Sequence, residues 1–302
     1  MQLGLHVCDF NFDSAPDQTG STLARISKAA EDVGFESLTV MDHLFQIAMI
    51  GPHEDPMLEA YTTLSFIAGT TSRLRLGAMV TAAVYRPPGL LVKAVTTLDV
   101  LSGGRAFLGI GAAWNEQESI GLGLPFPPTA ERFERLEETL QIAKQMWSDD
   151  DGPYEGKHYH LGATVNSPQA VQRPHPPILI GGSGEKKTIP LAARHFDHLN
   201  VIASFDQLAG KLDVVRQRCE EIDRDPATLE TSMLLTVRLD DNVKPAEETG
   251  GRMLAGSADF IAEQVQAKVL DAGIDGVIIN MPSYTPGVIT AVAEVLRPVV
   301  GV

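Results

Sequence analysis

Asp42 and His43 stand together directly after a short apolar run, residues 37–41. Adjacent polar residues just past a strand can aim at one cavity, and histidine titrates near neutrality, so the pair suits proton transfer. A turn-capping aspartate beside a packed histidine is the plainer alternative; a place at the carboxyl end of a barrel strand favours chemistry. A second constellation occupies residues 99–118, DVLSGGRAFLGIGAAWNEQE. Ser102, Gly103 and Gly104 break a helical pattern, and residues 106–110 form an apolar run of the kind a parallel strand buries on both faces. Gly109 and Gly111 permit close approach of backbone or ligand, after which Trp114, Asn115, Glu116 and Glu118 arrive together. An aromatic plate beside carboxylates suits a flat, redox-active ring.

The segment IGGSGEKKT, residues 180–188, is a glycine-rich turn leading into a helix. Free backbone N–H groups and the positive end of a helix dipole attract anions, and Lys186 and Lys187 add charge. A tight turn whose glycines only relieve strain reads equally well from these residues alone. Arg86, fixed by two following prolines, can pair with an acidic ligand group or, as a structural ion pair, with Asp42 or Glu116. Trp114 and Cys8 each have a plain alternative in core packing.

Other chemistries lack their residues. Lys28, Lys93, Lys144, Lys211 and Lys268 fall on helical patterns and Lys157 and Lys244 in long connections, so no strand end offers a Schiff-base lysine. His158 and His160 also sit in a connection, without the clustered ligands of a metal hydrolase, and no G-x-S-x-G turn occurs. Organic redox cofactor chemistry remains.

These residues need a frame that gathers strand ends. Strand-like runs at 3–7, 37–41, 74–80, 106–110, 178–180, 198–202, 232–237 and 276–280 alternate with helical patterns at 21–33, 57–71, 89–101, 129–147, 186–195, 205–222, 257–271 and 286–296. Eight repeats of strand and helix predict one α/β domain over residues 1–302, a (β/α)8 TIM barrel. A doubly wound sheet would place a GxGxxG turn after the first strand, and residues 9–20 contain none. Two segments exceed ordinary loop length: 149–177 after the fourth helix, expected mainly on the side away from the mouth though long enough to return over it, and 240–256 after the seventh strand.

A formal charge of −15 argues against nucleic acid and anionic membrane as partners and leaves a small-molecule substrate. Only two cysteines, Cys8 and Cys219, occur far apart, no signal peptide is recognisable at the start and no apolar run approaches 18 residues, which together predict a cytoplasmic protein.

The motifs VMDH (40–43), PMLEAYTTLSFIAGTTSRLRLGAMVT (56–81), YRPPGLLVKAVTTLDVLSGGRAFLGIGAAWNEQE (85–118), GLPFP (123–127), ERFERLEETL (131–140) and PPILIGGSGEKKT (176–188) closely resemble the bacterial luciferase-like monooxygenase superfamily. More narrowly, they resemble its branch that uses the deazaflavin coenzyme F420. The resemblance implies a (β/α)8 barrel with the cofactor ring across the strand ends, over a non-prolyl cis peptide at Met79–Val80 beside Thr81. It places Asp42 and His43 at the reactive edge of the ring, with Gly111, Ala112 and Trp114 nearby. Gly181, Gly182, Ser183, Gly184 and Glu185 would hold the phosphate. Trp114 stands where the F420-using glucose-6-phosphate dehydrogenases carry a glutamate, which leaves the acid role to His43, oriented by Asp42, or to Glu116, and disfavours that sugar as substrate.

The implied function is F420-dependent hydride transfer to or from a small organic molecule, since a carbon replaces the nitrogen through which flavin meets oxygen. The alternatives are an FMN monooxygenase supplied by a separate flavin reductase, and a barrel that binds flavin or deazaflavin without turnover. Related barrels imply a homodimer by analogy.

Overall fold

Runs such as Leu3–Val7 and Ile178–Gly181 have no polar face to offer water, so they fold where both faces are covered, as parallel strands under a ring of helices. The computed structural model describes residues 2–12, 15–243, 246–247 and 251–302; Lys244, assigned above to a long connection, lies outside them. The first half of the chain runs β1 (Leu3–Val7), α1 (Thr19–Asp32), β2 (Ser37–Val40), α2 (Ala60–Thr70), β3 (Arg75–Ala78), β4 (Thr81–Ala82), α3 (Pro88–Ser102), β5 (Leu108–Gly111), α4 (Glu116–Gly121) and α5 (Thr129–Met146). It continues through β6 (Tyr154–Glu155), β7 (His160–Leu161), β8 (Ile178–Gly181), α6 (Thr188–His195), β9 (His198–Val201), α7 (Phe205–Glu220) and β10 (Glu230–Leu239). Last come β11 (Ala246–Glu247), β12 (Met253–Gly256), α8 (Ala258–Val265), β13 (Gly276–Asn280) and α9 (Pro286–Val300).

The strands lie in the order β3-β2-β1-β13-β10-β9-β8-β5-β4, every neighbouring pair parallel. Leu76 N–H donates to the Arg105 carbonyl at 2.8 Å and Phe107 N–H to the Leu76 carbonyl at 3.0 Å, which closes the sheet into a TIM barrel. All carboxyl ends therefore face one mouth.

Where the residue pattern suggested one strand over 74–80, the chain breaks: β3 stops at Ala78, a cis peptide joins Met79 to Val80, and β4 resumes at Thr81. The expected helix at 257–271 is α8 followed by a π-helical turn, Gln266–Leu270. Residues 149–177 carry the β6–β7 hairpin, whose turn is held by the Glu138 carboxylate accepting the N–H groups of Lys157, His158 and Tyr159. Asn166 and Gln172 bind Thr96 and Asp99 of α3, so the segment runs over the outer faces of α5 and α3. β12 extends the sheet beside the long β10 above the mouth, in register Thr236↔Met253. Among the described residues no helix is long and apolar enough to cross a membrane.

Candidate active site at the barrel mouth

A cavity of about 280 Å³ opens at the ends of β2, β3, β5 and β8. Met79, Val80 and Thr81 form one wall, Gly111, Ala112 and Trp114 the next, and Asp42 and His43 the edge beside them. Gly181 and Thr188 bound it from β8 and α6, and no residue of 149–177 lines it. The glycines of β5 are needed where the chain steps: a Cβ on Gly109 would fall 1.9 Å from the Ala78 carbonyl oxygen, and one on Gly111 would lie 3.0 Å from a Val80 methyl. Ala113, at φ 66, turns the chain out of β5 in the left-handed region that a non-glycine residue enters at a cost. That turn sets Trp114, 59% exposed, edge-on to His43 with ring centroids 5.3 Å apart.

His43 is oriented by Glu118, which corrects the expectation of Asp42. Its Nδ1 lies 2.5 Å from Glu118 Oε1, and the same fully buried carboxylate accepts the Tyr85 hydroxyl at 2.5 Å and the Leu44 N–H at 2.6 Å. Burial would raise the Glu118 pKa, but the hydrogen bonds from His43, Tyr85 and Leu44 outweigh it and hold the carboxyl below its usual range. An ionised Glu118 only accepts, so His43 carries its proton on Nδ1 and keeps Nε2 for a reacting group. Burial first, and then the Glu118 carboxylate, raise the Tyr85 pKa, so the phenol stays protonated and donating.

Asp42 is occupied elsewhere. Arg86 grips it with Nη1 at 2.6 Å and Nη2 at 2.8 Å, and also reaches Glu59 at 2.6 Å. The Arg86 guanidinium lies 5.0 Å from the Tyr61 ring centroid, and Tyr61 hydroxyl meets Thr81 Oγ1 at 2.7 Å. Arg86 thus takes the structural option, and burial, which lowers its pKa, is outweighed by Asp42. Glu116, the first residue of α4, is exposed and outside the cavity, while Glu118 two positions on points inward. Cys8 follows its plain reading: it is buried against Tyr284, and burial pushes the thiol up to about 11.

At the glycine-rich turn, Gly182 takes φ 138 and donates its N–H to the Asn200 carbonyl. Among the described residues the N–H groups of 183–187 have no acceptor, so the turn before α6 presents a run of open donors. The Ser183 hydroxyl is tied to the Ile202 carbonyl, and Glu185 turns to Lys211 at 2.6 Å. Lys187 lies over Phe133, 5.0 Å from its centroid. With its side chain turned to Lys211, Glu185 adds only its backbone N–H to this run of open donors.

The residues that spacing alone did not single out are Glu118 as the partner of His43, Tyr85 and Tyr61. Glu118 was visible as one of two nearby carboxylates, but the face it occupies follows from the short α4, which has no apolar periodicity to announce it.

A profile of the family described as luciferase-like monooxygenase matches residues 1–276. An F420-dependent glucose-6-phosphate dehydrogenase from Kineococcus radiotolerans is 35% identical over 180 residues, 58% of this chain and 51% of its own length. The chain therefore spans about half the length of that relative. Another of the same name, from Nakamurella multipartita, is 31% identical over 253 residues, 80% of this chain and 70% of its own. Among solved structures, an F420-dependent secondary alcohol dehydrogenase in complex with an F420-acetone adduct superposes with a TM-score of 0.82 at 19% identity, covering 99% of this chain and 98% of that one. A long-chain alkane monooxygenase gives 0.80 at 14% identity, covering 99% and 92%. At such identities these two likenesses concern the fold.

Proposed function

Because the chain belongs to the luciferase-like monooxygenase family, we propose that it is an F420-dependent oxidoreductase in which His43 handles the proton that accompanies hydride transfer to or from a small organic molecule. The observation that carries this reading is His43 held through Nδ1 by an ionised, buried Glu118 at the edge of a barrel-mouth cavity. The surroundings fit a planar ring with an anionic tail. One wall is the step from Met79 to Thr81, the lining includes Met41, Ile180, Ile202 and Leu234, and the open N–H groups of 183–187 suit a phosphate. When bound, the deazaflavin supplies a carbon that gives or takes hydride.

The chain's own residues do the rest. Glu118 fixes the imidazole so that Nε2 gives or receives the proton. Arg86 grips the buried Asp42 carboxylate through two hydrogen bonds and fixes it as a rigid acceptor at the mouth. The relatives named F420-dependent support this choice of cofactor over FMN.

Fluorescence titration with F420 and FMN in parallel tests the reading. Micromolar or tighter F420 binding with weaker FMN binding, followed by turnover of oxidised or reduced F420 with an alcohol or carbonyl panel, is the expected result. Preference for FMN with oxygen consumption would make the protein a monooxygenase, and tight binding without turnover would make it a binding barrel.

A further inference from the structure

Beside the cavity of His43 lies another, of about 600 Å³, and Met41 and Leu234 line both. Its walls come from the other half of the mouth: the ends of β1 and β13, the connection after β2, and β10 with the segment entering β12. Ile47, Met49, Ile50, Met253 and Met281 give it an apolar surface, and Arg252 lines it among them.

Arg252 is held in place. Its carbonyl accepts the Thr236 N–H at 2.8 Å, and the next residue opens β12 in register with β10. Its side chain is partly buried, yet among the described residues it has no ion pair, hydrogen bond or ring contact, whereas Arg86 has two carboxylates and Arg105 several carbonyls. Burial lowers its pKa, and among the described residues no carboxylate offsets the effect. A desolvated guanidinium with unused donors is costly, and an anion in the cavity would remove that cost.

The other ionisable groups of the lining do not supply one. Asp9 sits at the end of β1, with β13 between it and β10, and accepts the Asn11 N–H at 2.8 Å. Burial first, and then His43, push the His6 pKa down to about 3, so it remains neutral, and the Cys8 thiol remains protonated. Arg252 is the cavity's one cation among the described residues.

We propose that this second cavity is the substrate pocket and takes a small molecule whose apolar body ends in a carboxylate, bound by Arg252. The inference rests on the neighbouring cavity being the F420 site: a substrate anchored at Arg252 extends toward the seam at Met41 and Leu234, where the two cavities meet. One planar guanidinium matches one carboxylate through two parallel hydrogen bonds, and among the described residues the lining has no second cation for a dianionic phosphate. Neutral His6, Thr236 and Asn280 can receive a hydroxyl or carbonyl on the same body.

Calorimetric titration of the F420-loaded protein with octanoate, octan-1-ol and octyl phosphate tests this. Octanoate should bind about 10-fold or more tighter than octan-1-ol, a difference expected of a charge-assisted pair. Arg252→Met should abolish that preference with F420 affinity unchanged, and Arg252→Lys should keep part of it. No preference in the wild type, a preference that survives Arg252→Met, or tighter Arg252-dependent binding of octyl phosphate would overturn the assignment. So would loss of F420 affinity in Arg252→Met, which would make Arg252 a cofactor residue. If F420 does not bind but the unloaded protein still shows the Arg252-dependent preference, the reading of the neighbouring cavity fails and the carboxylate pocket stands.

Discussion

Glu118 collects the His43 ring, the Tyr85 hydroxyl and the Leu44 and Phe45 N–H groups on one buried carboxylate, so its charge and position are set by four donors at once. His43→Ala should lower turnover by about 100-fold or more if Nε2 transfers the proton. Glu118→Gln should act through His43: an amide can present N–H as well as oxygen to Nδ1, so the tautomer is no longer fixed. A fall in kcat on the order of 10–100-fold with the cofactor Kd unchanged is expected, partly rescued by Glu118→Asp. Glu116→Gln, on the exposed side of α4, should leave kcat unchanged. Steady-state kinetics on the four variants decide it: equal losses at 116 and 118, or none at 118, would remove the positioning role. The sequence made both carboxylates visible, and its reading gave a role at the site to Glu116 where the structure gives one to Glu118, because neighbours two apart on a helix lie about 200° apart and nothing in residues 115–121 reveals the helix's phase. Asp42, though adjacent to His43, was claimed by Arg86, a partner 44 residues away.

The elements around the β3–β4 step show what an apolar run conceals. Residues 74–80 read as one strand because hydrophobicity records burial and not peptide geometry; the break at Met79–Val80 was foreseen only through family likeness. The glycines of β5, by contrast, were legible as places of close approach, and Gly109 proves to be one. Gly109→Ala would drive a methyl against the Ala78 carbonyl, backbone on backbone, where no side chain can swing aside. A loss of about 1–3 kcal/mol or more is expected, with weakened cofactor binding because the step forms a cavity wall. Gly69→Ala gives the opposite sign. Gly69 lies on the exposed face of α2 with open space where its Cβ would go, so the change should stabilise the fold by about 0.5–1 kcal/mol. Urea denaturation of both variants checks the pair, and a neutral Gly109→Ala would mean that the two backbones can separate.

At the scale of the molecule, the alternation of eight apolar runs with amphipathic segments was enough to predict the barrel, and the barrel alone dictates that one mouth gathers the strand ends. Pattern did not show what the interior does to its polar residues, because burial of an individual side chain depends on strands brought together from far along the chain. His6 on β1 and His198 on β9 are both 3% exposed, and burial is the main reason each pKa falls from 6.5 to about 3. The unfolded chain binds protons at these histidines below about pH 6.5 while the folded barrel does not until about pH 3. Stability must therefore fall as pH drops through that window, by up to about 1.4 kcal/mol per pH unit for each histidine. Glu118, Glu31 and Glu59, whose folded pKa values are depressed, add to the loss only once pH falls below the ordinary carboxylate range. The formal charge of −15 works the other way, since acidification relieves its self-repulsion. Urea midpoints measured between pH 7.5 and 5 separate these contributions, because the carboxylates are silent there. The wild type should lose stability steadily below about pH 6.5. The double variant His6→Asn, His198→Gln, which keeps hydrogen-bonding groups toward Thr39 and Ser232, should show a markedly flatter profile. A wild-type profile already flat over this range would mean that the two imidazoles find a way to carry charge inside the barrel.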